Sequence, residues 1–235
     1  MLDARGLTRR FGAVTALSGV DLQVEAGQVT GLMGPNGAGK TTAFRLLAGL
    51  DRPDAGTVLL GGVDVSSWPL HRRARAGLGY LPQGPSLLST LSAADNVAVA
   101  LRAVGRKSTE ATGILAAAGL AALARRPAGA LSGGERRRVE IARCLAGRPR
   151  VVLLDEPFAG VDPAHVRELR RVIRAMAEDG IAVLLTDHAV RDALPTCDAV
   201  VLLDHGSVQI AGTPAQIAAD GRARDRYLGH DFCLE

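Results

Sequence analysis

One stretch constrains this chain more than any other. Gly34-Pro35-Asn36-Gly37-Ala38-Gly39-Lys40-Thr41 fits the pattern G-x-x-x-x-G-K-[ST]. It follows an apolar run, Val29–Met33, and opens a helical stretch over residues 41–50. Strand, glycine loop and helix form the setting this pattern requires. Glycines let backbone N–H groups converge on a phosphate without Cβ obstruction, and the helix N-terminus adds its positive dipole end. Gly34, Asn36, Gly37, Ala38, Gly39 and Thr42 belong to this cradle. Lys40 would bridge the β- and γ-phosphates of a nucleotide, and the Thr41 hydroxyl would ligate Mg²⁺. The bland alternative is a glycine-rich turn with a chance lysine. Of the 28 basic residues, however, only Lys40 and Lys107 are lysines.

The rest of the chain continues the alternation. Apolar runs at Leu78–Leu81, 151–154, 182–185 and 200–203 join Val29–Met33 as five buried strands. Continuous apolar runs suit parallel strands covered on both faces. Helical stretches lie between them, the clearest after the glycine loop being Pro163–Glu178, which Asp162 would cap with Pro163 at its first position. An α/β fold with right-handed crossovers follows. Residues 1–27 and 56–65 read as a small antiparallel sheet. Residues 92–145 read as helices inserted between the second and third core strands, followed by the run that ends in Asp155-Glu156.

That run reads Val151-Val152-Leu153-Leu154-Asp155-Glu156. A strand end beside a phosphate loop is where a Mg²⁺-holding carboxylate sits, so Asp155 is the candidate metal ligand. Side chains alternate along a strand, so Glu156 would point elsewhere and address an attacking water as general base.

Composition narrows the classes. Hydrophobic residues make up 47% and charged residues 22%, which excludes a disordered chain. No stretch approaches the roughly 20 apolar residues of a membrane span. The N-terminus lacks a basic-then-apolar signal, which predicts a cytosolic protein. Net charge is +4, but the arginines are dispersed among acids and aromatics are only 3%. Nucleic acid is therefore not an expected partner. Cys144, Cys197 and Cys233 show no metal spacing and read as reduced structural thiols.

Leu131-Ser132-Gly133-Gly134-Glu135 precedes a basic helix over residues 136–146, which Ser132 could cap. With the phosphate loop upstream and Leu153-Leu154-Asp155-Glu156-Pro157 downstream, it resembles the signature of ATP-binding cassette (ABC) ATPases. The resemblance covers essentially the whole chain. It implies a P-loop NTPase of ABC type: a mostly parallel core sheet, a small antiparallel β subdomain, and a helical subdomain over about 85–148 inserted in one domain, 1–235. It also implies ATP and Mg²⁺ as cofactors. Phe11 resembles the aromatic that stacks on adenine, where the family more often has tyrosine; its other reading is a core aromatic. Gln83 resembles the glutamine that contacts Mg²⁺ and the attacking water and senses the membrane subunit. His188 resembles the histidine at the γ-phosphate. Ala159-Gly160-Val161-Asp162 resembles the loop that crosses to the partner. Ser132, Gly133 and Gly134 would contact nucleotide held by a second chain, so a homodimer would sandwich two ATP molecules.

Within the family, the closest resemblance is to the ATPase of the lipopolysaccharide exporter. It is carried by Leu70-His71-Arg72-Arg73-Ala74-Arg75, by Leu78-Gly79-Tyr80-Leu81-Pro82-Gln83, by Thr186-Asp187-His188 and by the tail Tyr227-Leu228-Gly229 with Asp231-Phe232. It is carried also by the arginine run Arg136-Arg137-Arg138, where many cassettes place a glutamine. Leu87-Leu88-Ser89 departs from that group, which tends to have an aromatic followed by arginine, and Ala189 stands where it tends to have asparagine. The resemblance implies a cytoplasmic ATPase, peripheral on the inner membrane, with separate permease subunits docking near the Gln83 loop. Two alternatives stay open: the ATPase of a branched-chain amino-acid importer, which shares the tail feature Gly212-Thr213-Pro214, and a soluble ABC ATPase outside transport.

Overall fold

The computed structural model describes residues 1–229 and 232, without the side chains of Pro163 and Ala164. The expectations for Asp231 and Cys233 lie outside the described residues. The strands are β1 (Leu2–Phe11), β2 (Val14–Val24), β3 (Val29–Met33), β4 (Ala55–Leu60), β5 (Val63–Asp64), β6 (Leu78–Leu81), β7 (Val151–Asp155), β8 (Ala182–Thr186), β9 (Ala199–Asp204) and β10 (Ser207–Gly212). The main helices are α1 (Lys40–Ala48), α2 (Leu70–Arg75), α3 (Ala93–Ala103), α4 (Ala111–Ala117), α5 (Gly133–Leu145) and α6 (Pro163–Glu178).

Two sheets form. The smaller is antiparallel, in the order β2-β1-β4-β5; the larger runs β10-β9-β3-β8-β7-β6. Strands β3, β7 and β8 are buried along their whole length and pair in parallel, as their unbroken apolar runs require. The sixth strand was not among the five apolar runs. Strand β10 pairs antiparallel to β9 at the sheet edge, and only His205 and Gly206 separate the two. Both have positive φ (45° and 75°), the geometry that a two-residue hairpin turn demands. An edge strand needs no continuous apolar run, which is why 207–212 carries none.

The large sheet is covered on both faces. One face packs against α1 and the small sheet, with Phe44, Leu46 and Leu47 of α1 fully buried beside Leu32 and Leu153. The other face receives α6 through Leu169 and Ile173, against Val152, Val183 and Leu185. Each such side chain contributes about 1.5–3 kcal/mol relative to exposure. A third apolar cluster, around Val97, Leu101, Leu115 and Val139, holds α3, α4 and α5 to one another.

Strand β7 is not β3's neighbour: β8 lies between them. The ends of β3, β8, β7 and β6 nevertheless share one edge. The glycine loop, Asp187-His188, Asp155-Glu156 and Gln83 all follow those ends, at the carboxyl edge where ligands bind in open α/β sheets.

Candidate functional site

The glycine loop leads from β3 into α1, which begins at Lys40 rather than Thr41 and stops at Ala48. Two glycines are dictated by sterics. At Gly34 (φ 149°) a Cβ would lie 2.0 Å from the Leu203 carbonyl oxygen, and at Gly39 (φ 105°) one would lie 2.5 Å from the Ala16 carbonyl oxygen. The loop borders a cleft of about 410 Å³. Residues 36–42 line it together with Val14–Ala16 of β2, Glu156, His205 and Gly206.

Lys40 folds back on the loop, and its Nζ donates to the carbonyls of Gly34 (2.6 Å) and Pro35 (2.8 Å). Burial lowers its pKa, while the negative charges of Glu156 and Asp155 resist that change. The ammonium is thus partly desolvated with neutral acceptors. Asp155 is the mirror case. It is 4% exposed, and burial together with the charge of Glu156 pushes its pKa up to about 6, against the pull of Arg137 and Lys40. Opposite it in the β7–β8 register stands Thr186, whose buried hydroxyl has no hydrogen-bond partner. A desolvated ammonium suits an anion, and a carboxylate strained by a second carboxylate suits a divalent cation, so the residues present fit a magnesium–polyphosphate. Among the described residues no three His, Cys, Asp or Glu side chains form a metal cluster. A magnesium ion here would complete its shell with phosphate oxygens and water.

Glu156 lies just past β7, with φ 49°, a left-handed conformation uncommon outside glycine. Its direction therefore comes from a local backbone reversal and not from strand alternation. Its N–H donates to the Thr186 carbonyl at 2.8 Å, and its own carbonyl accepts from Arg137 Nη2 at 2.6 Å. The side chain meets two others: Gln83 Nε2 donates to Glu156 Oε2 at 2.8 Å, and His188 Nδ1 lies 3.1 Å from the same oxygen. Asp187 anchors this meeting point. Its fully buried carboxylate accepts from the N–H groups of Phe158 (2.9 Å) and Ala189 (2.8 Å), tying the loop after β8 to the loop after β7. Burial raises its pKa, and those two donors oppose the rise.

The remaining expected residues lie apart from the cleft lining. Ser132 caps α5 by accepting from the Glu135 N–H at 3.3 Å, and Glu135 returns the bond to the Ser132 N–H at 2.8 Å. This capping box starts the helix at Gly133, three residues before the expected residue 136. Ser132 and Gly133 are exposed. A Cβ on Gly133 would lie 3.4 Å from the Gly160 carbonyl, and one on Gly134 would lie 3.2 Å from the His165 ring. The signature thus abuts the segment that ends in Asp162, whose carbonyl accepts from the N–H groups of His165 and Val166 at the start of α6. Phe11 is not a core aromatic: it is 48% exposed, with the Arg9 guanidinium 4.8 Å over its ring.

Sequence reasoning missed three contributors: Val14–Ala16, the His205–Gly206 turn and Arg137. Gly206 was the available signal for the turn. It packs against Ala16, its N–H donates to the Ala38 carbonyl, and its carbonyl accepts from the Ser18 N–H. Of the cysteines, Cys144 is half-buried and Cys197 buried, both unpaired, with burial pushing each thiol to about 12. No helix among the described residues is long and apolar enough to cross a membrane.

Residues 17–159 match the ABC transporter family. The chain is 47% identical to the lipopolysaccharide export system ATP-binding protein of Acidithiobacillus ferridurans, over 99% of this chain and 98% of that one. It is 41% identical to the protein of the same description from Escherichia coli K12, over 99% of each chain. Among solved structures it resembles the ADP conformation of an ATP-binding cassette of an ABC transporter, with a TM-score of 0.89 and 26% identity over 98% of this chain and 99% of that chain. It also resembles a dimeric bacterial ABC transporter cassette, with a TM-score of 0.81 and 26% identity over 91% and 99%. With the glycine loop, the Asp155-Glu156 pair and the Ser132 signature set on this fold, the chain belongs to the ABC transporter family as one of its ATP-binding cassettes.

Proposed function

We propose that this chain binds and hydrolyses ATP to drive lipopolysaccharide export from the inner membrane, working as a homodimer beneath separate permease subunits on the cytoplasmic face. The observation that carries the cargo is its 47% identity, over nearly the full length of both chains, to an ATP-binding protein of a lipopolysaccharide export system. The observation that carries the chemistry is the convergence of Gln83 and His188 on one carboxylate oxygen of Glu156.

In this reading the loop N–H groups and Lys40 receive the phosphates, and Lys40 exchanges two carbonyl acceptors for charge-assisted bonds. Phe11 carries the adenine face. Thr41, Gln83 and Asp155 hold magnesium, which when bound neutralises phosphate charge. Glu156 takes the proton of the attacking water, Gln83 and His188 fix its side chain, and the other ring nitrogen of His188 addresses the γ-phosphate. The exposed Ser132 and Gly133 and the half-buried Gly134, together with Asp162, meet the nucleotide of the second copy. Closing the two chains excludes water and completes each site; hydrolysis reopens them. Residues 85–148 serve as a helical subdomain that carries the signature.

Docking of the permease near Gln83 is supported by a groove of about 240 Å³ between α2, β6 and α3. Leu88 and Val99 line it while 50% and 44% exposed, so it offers apolar surface to a partner element. Leu88 lies in the segment where this chain departs from the export group, which keeps the surface apolar without an aromatic. The test is co-purification with candidate permeases, followed by ATP-driven lipopolysaccharide release from proteoliposomes. Stable assembly with amino-acid importer permeases, or ATP consumption without lipopolysaccharide release, would overturn the cargo.

A further inference from the structure

In the arginine run after the signature, the middle member has a definite mechanical position. Arg137 is 6% exposed. Its Nε donates to the Pro157 carbonyl at 3.0 Å, and its Nη2 donates to the carbonyls of Glu156 (2.6 Å) and Asp155 (3.2 Å). Its Nη1 donates to the Pro82 carbonyl at 3.3 Å and to Glu140 Oε2 at 3.0 Å. Pro82 immediately precedes Gln83. The other oxygen of Glu140 accepts from the N–H and hydroxyl of Ser86, at 2.7 and 3.0 Å, and Arg143 donates to the Ser86 carbonyl. Arg137, Glu140 and Arg143 recur every three residues and so share one face of α5. That helix starts at Gly133, about one turn before Arg137.

A planar guanidinium has five donors in a fixed fork, so it can hold several acceptors only in one mutual arrangement. Here those acceptors are the backbone of the base and the entry to the glutamine loop. The left-handed conformation of Glu156 persists only while its surroundings over-determine it. Thr186 holds its N–H and Arg137 holds its carbonyl.

We propose that Arg137 is a positioning residue for hydrolysis, transmitting the placement of the signature helix to the backbone of Glu156 and to the start of the Gln83 loop through one buried fork. The inference rests on the reading of Glu156 as the base. Residues 132–134, engaged by the second chain's nucleotide, set where α5 lies; Arg137 then sets where the Glu156 carboxylate points in its own chain. Signature contact in one site is thereby linked to the base of the other.

Arg137→Lys keeps the charge and length but replaces the fork with a single point of donation. It is expected to fold, by melting temperature, and to bind ADP and show a KM for ATP within about twofold of the parent, while kcat falls about tenfold or more. Misplacing a catalytic group by ~1 Å costs on the order of 10²-fold. In a Glu156→Gln background the same substitution should change the residual rate by less than about twofold, because the position of the base no longer counts. A folded Arg137→Lys chain with near-parental kcat, or one losing ADP affinity in step with kcat, overturns the inference. Should Arg137→Lys not fold, Glu140→Gln is read in its place: a kcat loss of about threefold at unchanged ADP affinity is expected, and no loss overturns the inference. If Glu156→Gln alone hydrolyses ATP at the parental rate, the base reading fails, whatever Arg137 does. If Glu156→Gln stops turnover while Arg137→Lys does not slow it, only the positioning inference fails.

Discussion

Replacing Asp155 with asparagine should stabilise the nucleotide-free protein while abolishing magnesium-dependent nucleotide binding. The carboxylate is 4% exposed, and its pKa rises from 3.8 to about 6, first through burial and then through the charge of Glu156. A group whose folded pKa lies above its unfolded value favours folding fully below the unfolded value and loses that contribution as pH rises through the folded one. At pH 8 the ionised Asp155 therefore costs roughly 3 kcal/mol, since each tenfold change in the ionisation constant is worth about 1.4 kcal/mol. A neutral asparagine at this position would not carry that cost. For a domain of this size roughly 3 kcal/mol corresponds to a rise in melting temperature of about 6–12 °C. The assay is thermal and urea denaturation of nucleotide-free protein from pH 8 downward. The advantage of Asp155→Asn should shrink as pH falls through about 6 and vanish below about 4. Magnesium with ATP should reverse the order, because only the carboxylate gains from the cation. A destabilised Asp155→Asn protein at pH 8, or a difference independent of pH, would refute the reasoning.

Other substitutions probe the remaining parts. Lys40→Ala removes the charge-assisted phosphate contact, so ATP affinity should fall by about 10- to 100-fold, for a bond of roughly 1.5–3 kcal/mol, as read by equilibrium binding; unchanged affinity and turnover would contradict the assignment. Mixing Ser132→Arg chains with Lys40→Ala chains should restore ATPase activity above either alone, because one intact site then forms per heterodimer; no recovery would count against a signature acting across the interface. Arg73 is fully buried, donates to the carbonyls of Leu46, Leu47, Ser66 and Trp68, and joins the end of α1 to α2. Arg73→Met leaves the buried Leu47 carbonyl without its donor, while Leu46 keeps the Gly49 N–H, so a loss of roughly 1–3 kcal/mol is expected in urea unfolding. A loss below about 1 kcal/mol would contradict that role for Arg73.

The glycine loop was legible because its sterics are local: Gly34 and Gly39 are demanded by backbone oxygens within a few ångströms. The buried strands were legible because β3, β7 and β8 are buried along their whole length and mostly apolar, with polar residues only at Thr30 and at the ends, Asp155 and Thr186. What escaped depends on contacts distant in sequence. The direction of Glu156 follows from a left-handed residue pinned by Thr186 and Arg137, which no strand periodicity encodes. Strand order is set by pairing, so the intrusion of β8 between β3 and β7 leaves no mark on either run. Edge strand β10 alternates weakly because one side meets solvent. Phe11 could be placed in the core or on the surface from sequence alone; it is exposed, beside an Arg9 that pairs with Asp54.

Glu156 acting as the base between two closed copies of the chain is the central claim. Glu156→Gln, purified and mixed with ATP and magnesium, should bind nucleotide with parental affinity and elute as a dimer. It should hydrolyse ATP at least about 10²-fold more slowly, the usual contribution of a positioned base. Near-parental hydrolysis, or a chain that stays monomeric with ATP bound, would contradict it.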